Sequence, residues 1–196
     1  MIPALLVSSA LTFGPFPDAS AIDSVAVVVA DAMQQTTVTM YYDPAYRSLD
    51  YPGGDVSPDR GVCSDVIVRA LRSVGADLQV LIHEDMRDHF SEYPQLWGLR
   101  KPDRNIDHRR VPNIACFLRR RGMVLPLTRE AMDYRPGDIV TWKIPGNLDH
   151  VGIVADTIVQ GTGRHAVIHN IGSGTRCEDI LLTYPITGHY RYFGQH

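Results

Sequence analysis

The chain has 196 residues, of which 44% are hydrophobic and 21% charged, a composition typical of a globular protein with a buried core. Its formal net charge of −3 offers no bulk electrostatic attraction to nucleic acid, so nucleic-acid binding is not expected. The length predicts one domain, preceded by a short N-terminal segment.

The first 21 residues resemble an export signal. Residues 2–13 are apolar or small, and Ala19-Ser20-Ala21 fits the small-x-small pattern of a cleavage site. The stretch is too short and too interrupted by proline to span a membrane stably. It has no basic residue at its start, so a segment that packs on the domain is the alternative. We expect an exported protein, periplasmic or secreted, with one domain over residues 22–196.

Helical patterns dominate the chain up to about residue 122. Apolar residues recur at helical spacing in four stretches, residues 23–35, 64–74, 84–93 and 112–121. The second is the clearest, because Val66, Ile67, Ala70 and Leu71 form one stripe. The fourth has Pro112 in its first turn, a position that proline favours.

Short β-rich runs separated by turn residues fill the rest of the chain. They cover residues 138–144, 151–155, 166–169 and 190–193, and residues 38–42 form an earlier short strand. Helices followed by a series of antiparallel strands predict an α+β fold, with helices covering one side of a single sheet.

Cys63 stands just before the clearest helix. A thiol at a helix N-terminus lies near unpaired backbone N–H groups and the positive end of the helix dipole. Both favour the thiolate, so the sequence predicts a reactive cysteine. His150 and His169 follow in predicted strands, an order that suits acyl-transfer chemistry. Asn170 is the alternative to His169, because neighbours on a strand point to opposite faces.

The other cysteines and histidines give weaker signals. Cys116 lies in an apolar helical pattern and is expected to be a small core residue. A disulfide between Cys116 and Cys177 is the alternative for an exported protein. His83 and His89 are six positions apart and do not share a helix face, so we predict neither a metal site nor a cofactor.

Several motifs together resemble known families. Pro136-Gly137-Asp138 and the HVGIV run at residues 150–154, followed by Val167-Ile168-His169, are similar in order to motifs of the NlpC/P60 cysteine peptidases. The stretch from Tyr41 to Tyr192 more closely resembles the DUF1287 group of bacterial exported proteins. Its motifs here are GVCSD at residues 61–65, HEDM at 83–86, NIDHRRVPN at 105–113, HNIG at 169–172 and GHYR at 188–191.

The resemblance implies a papain-type catalytic core. Cys63 would be the nucleophile, His150 the general base, and His169 or Asn170 the group that orients His150. Tyr51 precedes Cys63 by twelve positions and would help to polarise the carbonyl, as a tyrosine does in related peptidases. The backbone N–H of Cys63 would add an oxyanion contact.

The residues around Cys63 depart from the NlpC/P60 pattern. The nucleophile of that family usually follows an aspartate and precedes Ser-Gly, whereas here Val62 precedes Cys63 and Ser64-Asp65 follows it. The spacing between His150 and His169 is also longer than usual for that family.

The charged run at residues 107–110 permits two interpretations. It forms either a salt-bridged structural loop or the wall of a cleft that recognises an anionic substrate. In the second case Arg109 or Arg110 would hold a carboxylate in a bidentate pair. Asp65 and His108 would be further substrate contacts.

The resemblance implies a cysteine hydrolase, a peptidase or amidase that cleaves an amide bond in the stem peptides of cell-wall peptidoglycan. Two alternatives stay open: a non-catalytic module that binds cell wall or protein, and a thiol acyltransferase or transpeptidase. The sequence does not indicate an oligomeric state.

Overall fold

A computed structural model describes residues 19–193, with the side chains of 19–22 excepted. Its helices are α1 (Ala19–Val38), α2 (Cys63–Arg72), α3 (Leu78–His89) and α4 (Val111–Arg120). Its strands are β1 (Tyr41–Tyr42), β2 (Arg60–Gly61), β3 (Ile139–Ile144), β4 (Leu148–Ile158), β5 (His165–Asn170), β6 (Thr175–Glu178) and β7 (Ile186–Tyr190). The α+β layout predicted from the sequence is therefore confirmed.

The main sheet has five antiparallel strands in the order β6-β5-β4-β3-β7. Strand β4 lies at its centre between β5 and β3, and Trp142 of β3 is directly opposite His150 of β4. Strands β1 and β2 form a separate parallel pair just before α2. This pair fixes the chain that leads into Cys63.

The two faces of the sheet bury different cores. Val151 and Ile153 of β4 pack with residues of α2 and α4, such as Ile67 and Ile114, in the core between helices and sheet. The opposite face carries a smaller core of Tyr134, Val140, Trp142, Val154, Val167 and Leu181. Helices thus cover one side of the sheet, and the segments around Tyr134 and Leu181 cover the other.

Several elements differ from the sequence prediction. Strand β6 was not predicted, because its residues form no apolar run. Strand β7 spans Ile186–Tyr190 rather than 190–193. Helix α3 begins at Leu78, where the Asp77 carboxylate accepts a hydrogen bond from the backbone N–H of Gln79.

Most of the predicted export signal, residues 1–18, lies outside the described residues. Residues 19–21, which hold the small-x-small pattern, belong to the first turn of α1. Within residues 19–193, no helix has both the length and the apolar character that crossing a membrane requires.

All three cysteines are free thiols. Cys116 is buried in the core between helices and sheet, as predicted, and its Sγ lies 3.4 Å from the Glu92 carbonyl oxygen. The alternative of a Cys116–Cys177 disulfide is wrong for this structure.

Candidate functional site

Cys63 is the first residue of α2 and lies on the wall of a cleft. Val62 is the N-cap residue, and the Asp65 carboxylate accepts a hydrogen bond of 2.7 Å from its backbone N–H. The cleft has a volume of about 240 Å³. It is lined by Tyr42, Pro44, Val62, Cys63, Trp97, Ile106, Arg109, Arg110, Val111, Pro112 and Asp149.

The expected thiolate at Cys63 is not the resting form of this site. Burial raises the pKa of the Cys63 thiol to about 12, because removing the negative charge from water outweighs every other influence. The backbone N–H groups of Val151, Ser64 and Cys63 lower that pKa, as a helix N-terminus should, but by less than burial raises it. The resting site therefore holds a protonated thiol.

Alkylation of Cys63 should follow this raised pKa. Iodoacetamide reacts with the thiolate, so at pH 7 we expect Cys63 in folded protein to react at least about 100-fold more slowly than a free cysteine. The rate should rise with pH to the limit of the folded state, with no plateau near pH 8.5. Peptide mapping of labelled protein measures this, with urea-unfolded protein as the control. Equal rates for folded and unfolded protein at pH 7 would contradict the result.

His150 and His169 form a buried pair on neighbouring strands. The Nε2 atom of His150 lies 3.1 Å from Nδ1 of His169, and the two rings meet edge to face. Trp142 packs beside the His150 ring, with the ring centroids 6.0 Å apart. Gly152 of β4 lies beside the histidine pair, and a Cβ at this position would come within 3.2 Å of the His169 Cβ. The glycine thus leaves room for the pair.

Glu178 of β6 extends this pair toward solvent. Its Oε2 lies 3.3 Å from Nε2 of His169, and the Glu178 side chain is 49% exposed. The alignment is not that of a hydrogen bond, and His169 Nε2 has no hydrogen-bond partner among the described residues. The contact is therefore electrostatic, and it favours a proton on Nε2 of His169.

This contact assigns the tautomers of both rings. With its proton on Nε2, neutral His169 presents the lone pair of Nδ1 to His150. His150 then donates its Nε2–H, which leaves its own Nδ1 unprotonated and able to accept a proton. The orienting residue is thus His169 by geometry. Asn170 points elsewhere, and its Nδ2 donates to the Gly61 carbonyl at 3.1 Å.

Both histidines are neutral in the resting site. Burial and, to a smaller extent, the neighbouring His169 lower the pKa of His150 to about 3. Burial also lowers the pKa of His169, while the Glu178 carboxylate acts in the opposite direction. The resting protein therefore holds a neutral thiol in the cleft and a neutral imidazole on β4, rather than a preformed thiolate–imidazolium pair.

Cys63 meets β4 at the backbone next to His150. The Val151 N–H that lowers the thiol pKa belongs to the residue that directly follows His150. The His150 side chain itself alternates with that of Val151 and shares the sheet face of Trp142. Within residues 19–193, the thiol and the His150 ring form no direct hydrogen bond. Because Cys63 packs on the helix-covered face, the thiol and the His150 ring lie on opposite faces of the sheet, and a change in the backbone of β4 near residues 149–151 is needed to join them.

Tyr51 does not lie on the wall of the cleft, contrary to the sequence prediction. Its ring packs edge-on against His83, with centroids 5.4 Å apart, and the Arg104 guanidinium lies over it. Tyr42 is the tyrosine that lines the cleft. Burial raises the Tyr42 pKa, and the charge of the Cys63 thiolate would raise it further.

The predicted substrate contacts Asp65 and Arg109 are instead paired with each other. Arg109 donates Nε and Nη2 to the two Asp65 oxygens at 2.8 and 2.9 Å, and the Arg109 side chain is 2% exposed. Its remaining donors reach the backbone carbonyls of Ala45 and Asp43. His108 is also buried, and its Nδ1 is enclosed without a hydrogen-bond partner among the described residues, so none of the three presents an exposed polar group to a substrate.

Arg110 is the member of the charged run that still faces the cleft. One of its nitrogens lies 3.2 Å from the Asp107 carboxylate, and its guanidinium stacks over the Trp97 ring at 4.1 Å. Burial lowers the Arg110 pKa. The structure therefore gives residues 107–110 both kinds of environment: Arg109 forms a buried ion pair, and Arg110 lines the cleft. Recognition of an anionic substrate stays a prediction.

Four residues near the site were missed in the sequence. Tyr42, Trp97 and Asp149 line the cleft, and Glu178 approaches His169. Asp149 directly precedes His150, so its closeness to that candidate residue could have been inferred from the sequence. The sequence gives no such signal for Glu178 or Trp97. The pairing of β5 with β6 brings Glu178 to His169, and the path of a loop brings Trp97 to the cleft.

The described residues contain no group of three or more histidine, cysteine, aspartate or glutamate side chains that could hold a metal ion. His83 and His89 make separate contacts. The His83 ring packs on Tyr51, and His89 Nδ1 contacts the Asp85 carbonyl oxygen.

The fold and site define an α+β protein with a cleft thiol at a helix N-terminus and a neighbouring histidine pair on the sheet. The chain belongs to the family described as a domain of unknown function (DUF1287), whose model matches residues 29–192. It is also similar to the uncharacterized protein YijF of Escherichia coli (strain K12). The two are 52% identical over 168 residues, which cover 85% of this chain and 82% of YijF.

Proposed function

We propose that the protein is a cysteine hydrolase that cleaves an amide bond through Cys63 and His150. The observation that carries the proposal is the His150–His169 pair with a separation of 3.1 Å, next to the strand residue whose N–H approaches the Cys63 thiol. Nucleophile, base and orienting group are the three parts that such chemistry needs. The order of these residues, and their similarity to NlpC/P60 motifs, supports the same conclusion.

The first half-reaction transfers an acyl group to sulfur. Once a rearrangement of β4 brings the His150 ring to the thiol, Nδ1 of His150 takes the proton from Cys63 as the sulfur attacks the substrate carbonyl, because neither group is charged beforehand. Backbone N–H groups at the start of α2 stabilise the oxyanion. The C–N bond then breaks, His150 returns its proton to the leaving amine, and a thioester remains on Cys63.

The second half-reaction releases the acid. Nδ1 of His150 removes a proton from water, which attacks the thioester carbonyl. The C–S bond breaks, and the Cys63 sulfur recovers the proton from His150. His169 holds the His150 ring in one tautomer throughout, with its own Nε2–H facing Glu178.

The cleft suits a peptide substrate that carries a carboxylate. Arg110 provides a half-buried guanidinium, and Trp97 and Tyr42 provide aromatic faces for a peptide backbone or ring. The resemblance to NlpC/P60 peptidases points to the stem peptides of peptidoglycan. Such a substrate lies outside the cytoplasm, which agrees with the export proposed from the first 21 residues.

Purified protein incubated with peptidoglycan sacculi tests the proposal. We expect new fragments in the mass spectrum of the soluble products, each cut yielding one free carboxyl and one free amine. An added amine acceptor distinguishes the transferase alternative, because a transferase would join the acyl group to it whereas a hydrolase releases the acid. Unchanged sacculi, together with unchanged synthetic stem peptides, would contradict the proposal.

A non-catalytic binding module is the second candidate. The protonated thiol and the missing hydrogen bond between Cys63 and His150 favour it. Such a module would co-sediment with sacculi without releasing fragments, so the same incubation separates the two candidates.

Replacing Glu178 with glutamine should reduce activity without weakening substrate binding. The side chain keeps its size but loses the charge that favours a proton on His169 Nε2. We expect kcat to fall by about three- to tenfold at constant KM, since the productive tautomer of His150 becomes less populated. Glu130→Gln, an exposed change outside the cleft, is the matched control. Equal kcat values for the two variants would remove Glu178 from the mechanism.

A further inference from the structure

A second cavity adjoins the cleft that contains Cys63. Its volume is about 660 Å³. It is lined by His83, Gly98, Leu99, Arg100, Lys101, Pro102, Asp103, Arg104 and Asn105. Trp97 lines the thiol cleft, and the next residue, Gly98, lines this cavity. In the same way, Ile106 lines the cleft and Asn105 lines the cavity. Two short stretches of chain thus separate the two spaces.

The charges on the cavity wall are mostly positive and unpaired. Arg100, Lys101 and Arg104 are exposed, and none of them forms an ion pair with any residue in the described range 19–193. Asp103 is the acidic residue of the lining, and its carboxylate accepts hydrogen bonds from the Tyr46 hydroxyl and the Asn105 N–H. The cavity therefore has three cations without carboxylate partners.

The wall of the cavity is also held in place. The Arg104 guanidinium lies 5.6 Å from the centre of the Tyr51 ring, and that ring packs on His83. Leu49 N–H and Tyr46 contact the Asn105 side chain, which anchors the end of the loop. The Nδ1 atom of His83 is buried and has no hydrogen-bond partner in the part of the chain that the structure describes. His83 thus contributes a buried, unpartnered polar atom to the same wall.

We propose that this cavity binds a carboxylate or phosphate group of a substrate that extends from the thiol cleft. Arginine and lysine side chains bind both anions through charge-assisted hydrogen bonds, and arginine can do so in a bidentate manner. The assignment of the anion to a substrate rests on the proposed function, whereas the anion site itself does not. The scissile amide would lie at Cys63 and the anionic group beyond Trp97, across the loop at residues 97–105.

Calorimetric titration of the wild-type protein at low ionic strength tests the site, with inorganic pyrophosphate and tricarballylate as separate probes. We expect saturable binding of at least one probe, and tighter binding identifies the anion as phosphate or carboxylate. The double substitution Arg100→Glu with Lys101→Glu should weaken that binding by about tenfold or more, because it replaces attraction by repulsion. Arg129→Glu, an exposed arginine outside the cavity, should leave the affinity within about twofold.

Two results would overturn the anion site: no saturable heat with either probe, or equal weakening by Arg129→Glu and the double substitution. The proposed function fails separately. Wild-type protein that binds the probe but releases no fragments from sacculi keeps the anion site and loses the hydrolase. If the double variant releases fragments from the same sacculi as fast as the wild type, the cavity has no role in substrate binding, and the hydrolase proposal stands.

Discussion

Replacing His150 with alanine should lower the rate of amide cleavage by about 10³- to 10⁴-fold, the loss expected when a nucleophile loses its general base. The effect is large because the Cys63 thiol is protonated at rest, with a pKa raised to about 12. A preformed thiolate would retain much of its reactivity without a base, but a neutral thiol needs one in the transition state. The measurement is the initial rate of fragment release from sacculi.

His165→Ala is the matched control for His150→Ala. His165 starts β5 on the same sheet but lies outside the His150–His169 pair. We expect its rate to remain within about threefold of the wild type, since it has no part in proton transfer. Circular dichroism checks that both variants fold. A folded His150→Ala protein with the rate of His165→Ala would exclude His150 as the base.

Replacing Asp65 with alanine should lower the free energy of unfolding by about 3–5 kcal/mol, the range found when one partner of a buried ion pair is removed. The change leaves the Arg109 guanidinium buried without its counter-charge, and it also removes the acceptor for the Val62 N–H. Arg109 in turn links α2 to the chain at Asp43 and Ala45, so the entrance to the cleft should loosen. Urea denaturation measures the loss.

Asp88→Ala is the control for this pair, because it removes a carboxylate that forms an exposed ion pair with Arg87. Its effect should stay below about 0.5 kcal/mol. Changing both partners, Asp65→Ala with Arg109→Met, should recover part of the loss, since no buried charge then lacks a partner. A loss for Asp65→Ala as small as that for Asp88→Ala would show that the pair is not buried in solution.

The fold was largely predictable because its main elements carry periodic apolar patterns. The stripe around Ile67 and the runs at β3, β4 and β5 gave their places and the α+β class. Strand β6 escaped prediction because its sequence, TRCE, is polar and its strand state depends on pairing with β5. Helix α3 was predicted at residues 84–93 rather than at Leu78–His89. Its buried stripe of Leu78, Ile82 and Met86 and the Asp77 cap were both in the sequence and were missed.

The candidate site was predictable in its order but not in its electrostatics. Alternation along β5 required a choice between His169 and Asn170, and the cross-strand contact to His150 makes that choice. The local sequence at Cys63 indicates the helix N-terminus that favours a thiolate. It does not indicate how deeply tertiary packing buries the sulfur, and burial decides the pKa.

The charged run at residues 107–110 illustrates the same limit. Nothing in the residue types distinguishes Arg109, which the fold buries against Asp65, from Arg110, which stacks on Trp97 at the cleft. Tyr51 was assigned by its distance along the chain from Cys63, but the loop between them directs it to His83. Tyr42 is closer to the cleft because the pairing of β1 with β2 holds it there.

The comparison of wild-type protein with Cys63→Ala on peptidoglycan sacculi tests the central proposal most directly, with products quantified by mass spectrometry and Cys116→Ala as a second buried cysteine for control. We expect fragments from the wild type and from folded Cys116→Ala protein, and a rate for Cys63→Ala lower by at least about 10³-fold. Equal fragment release by the wild type and Cys63→Ala would contradict the proposed mechanism.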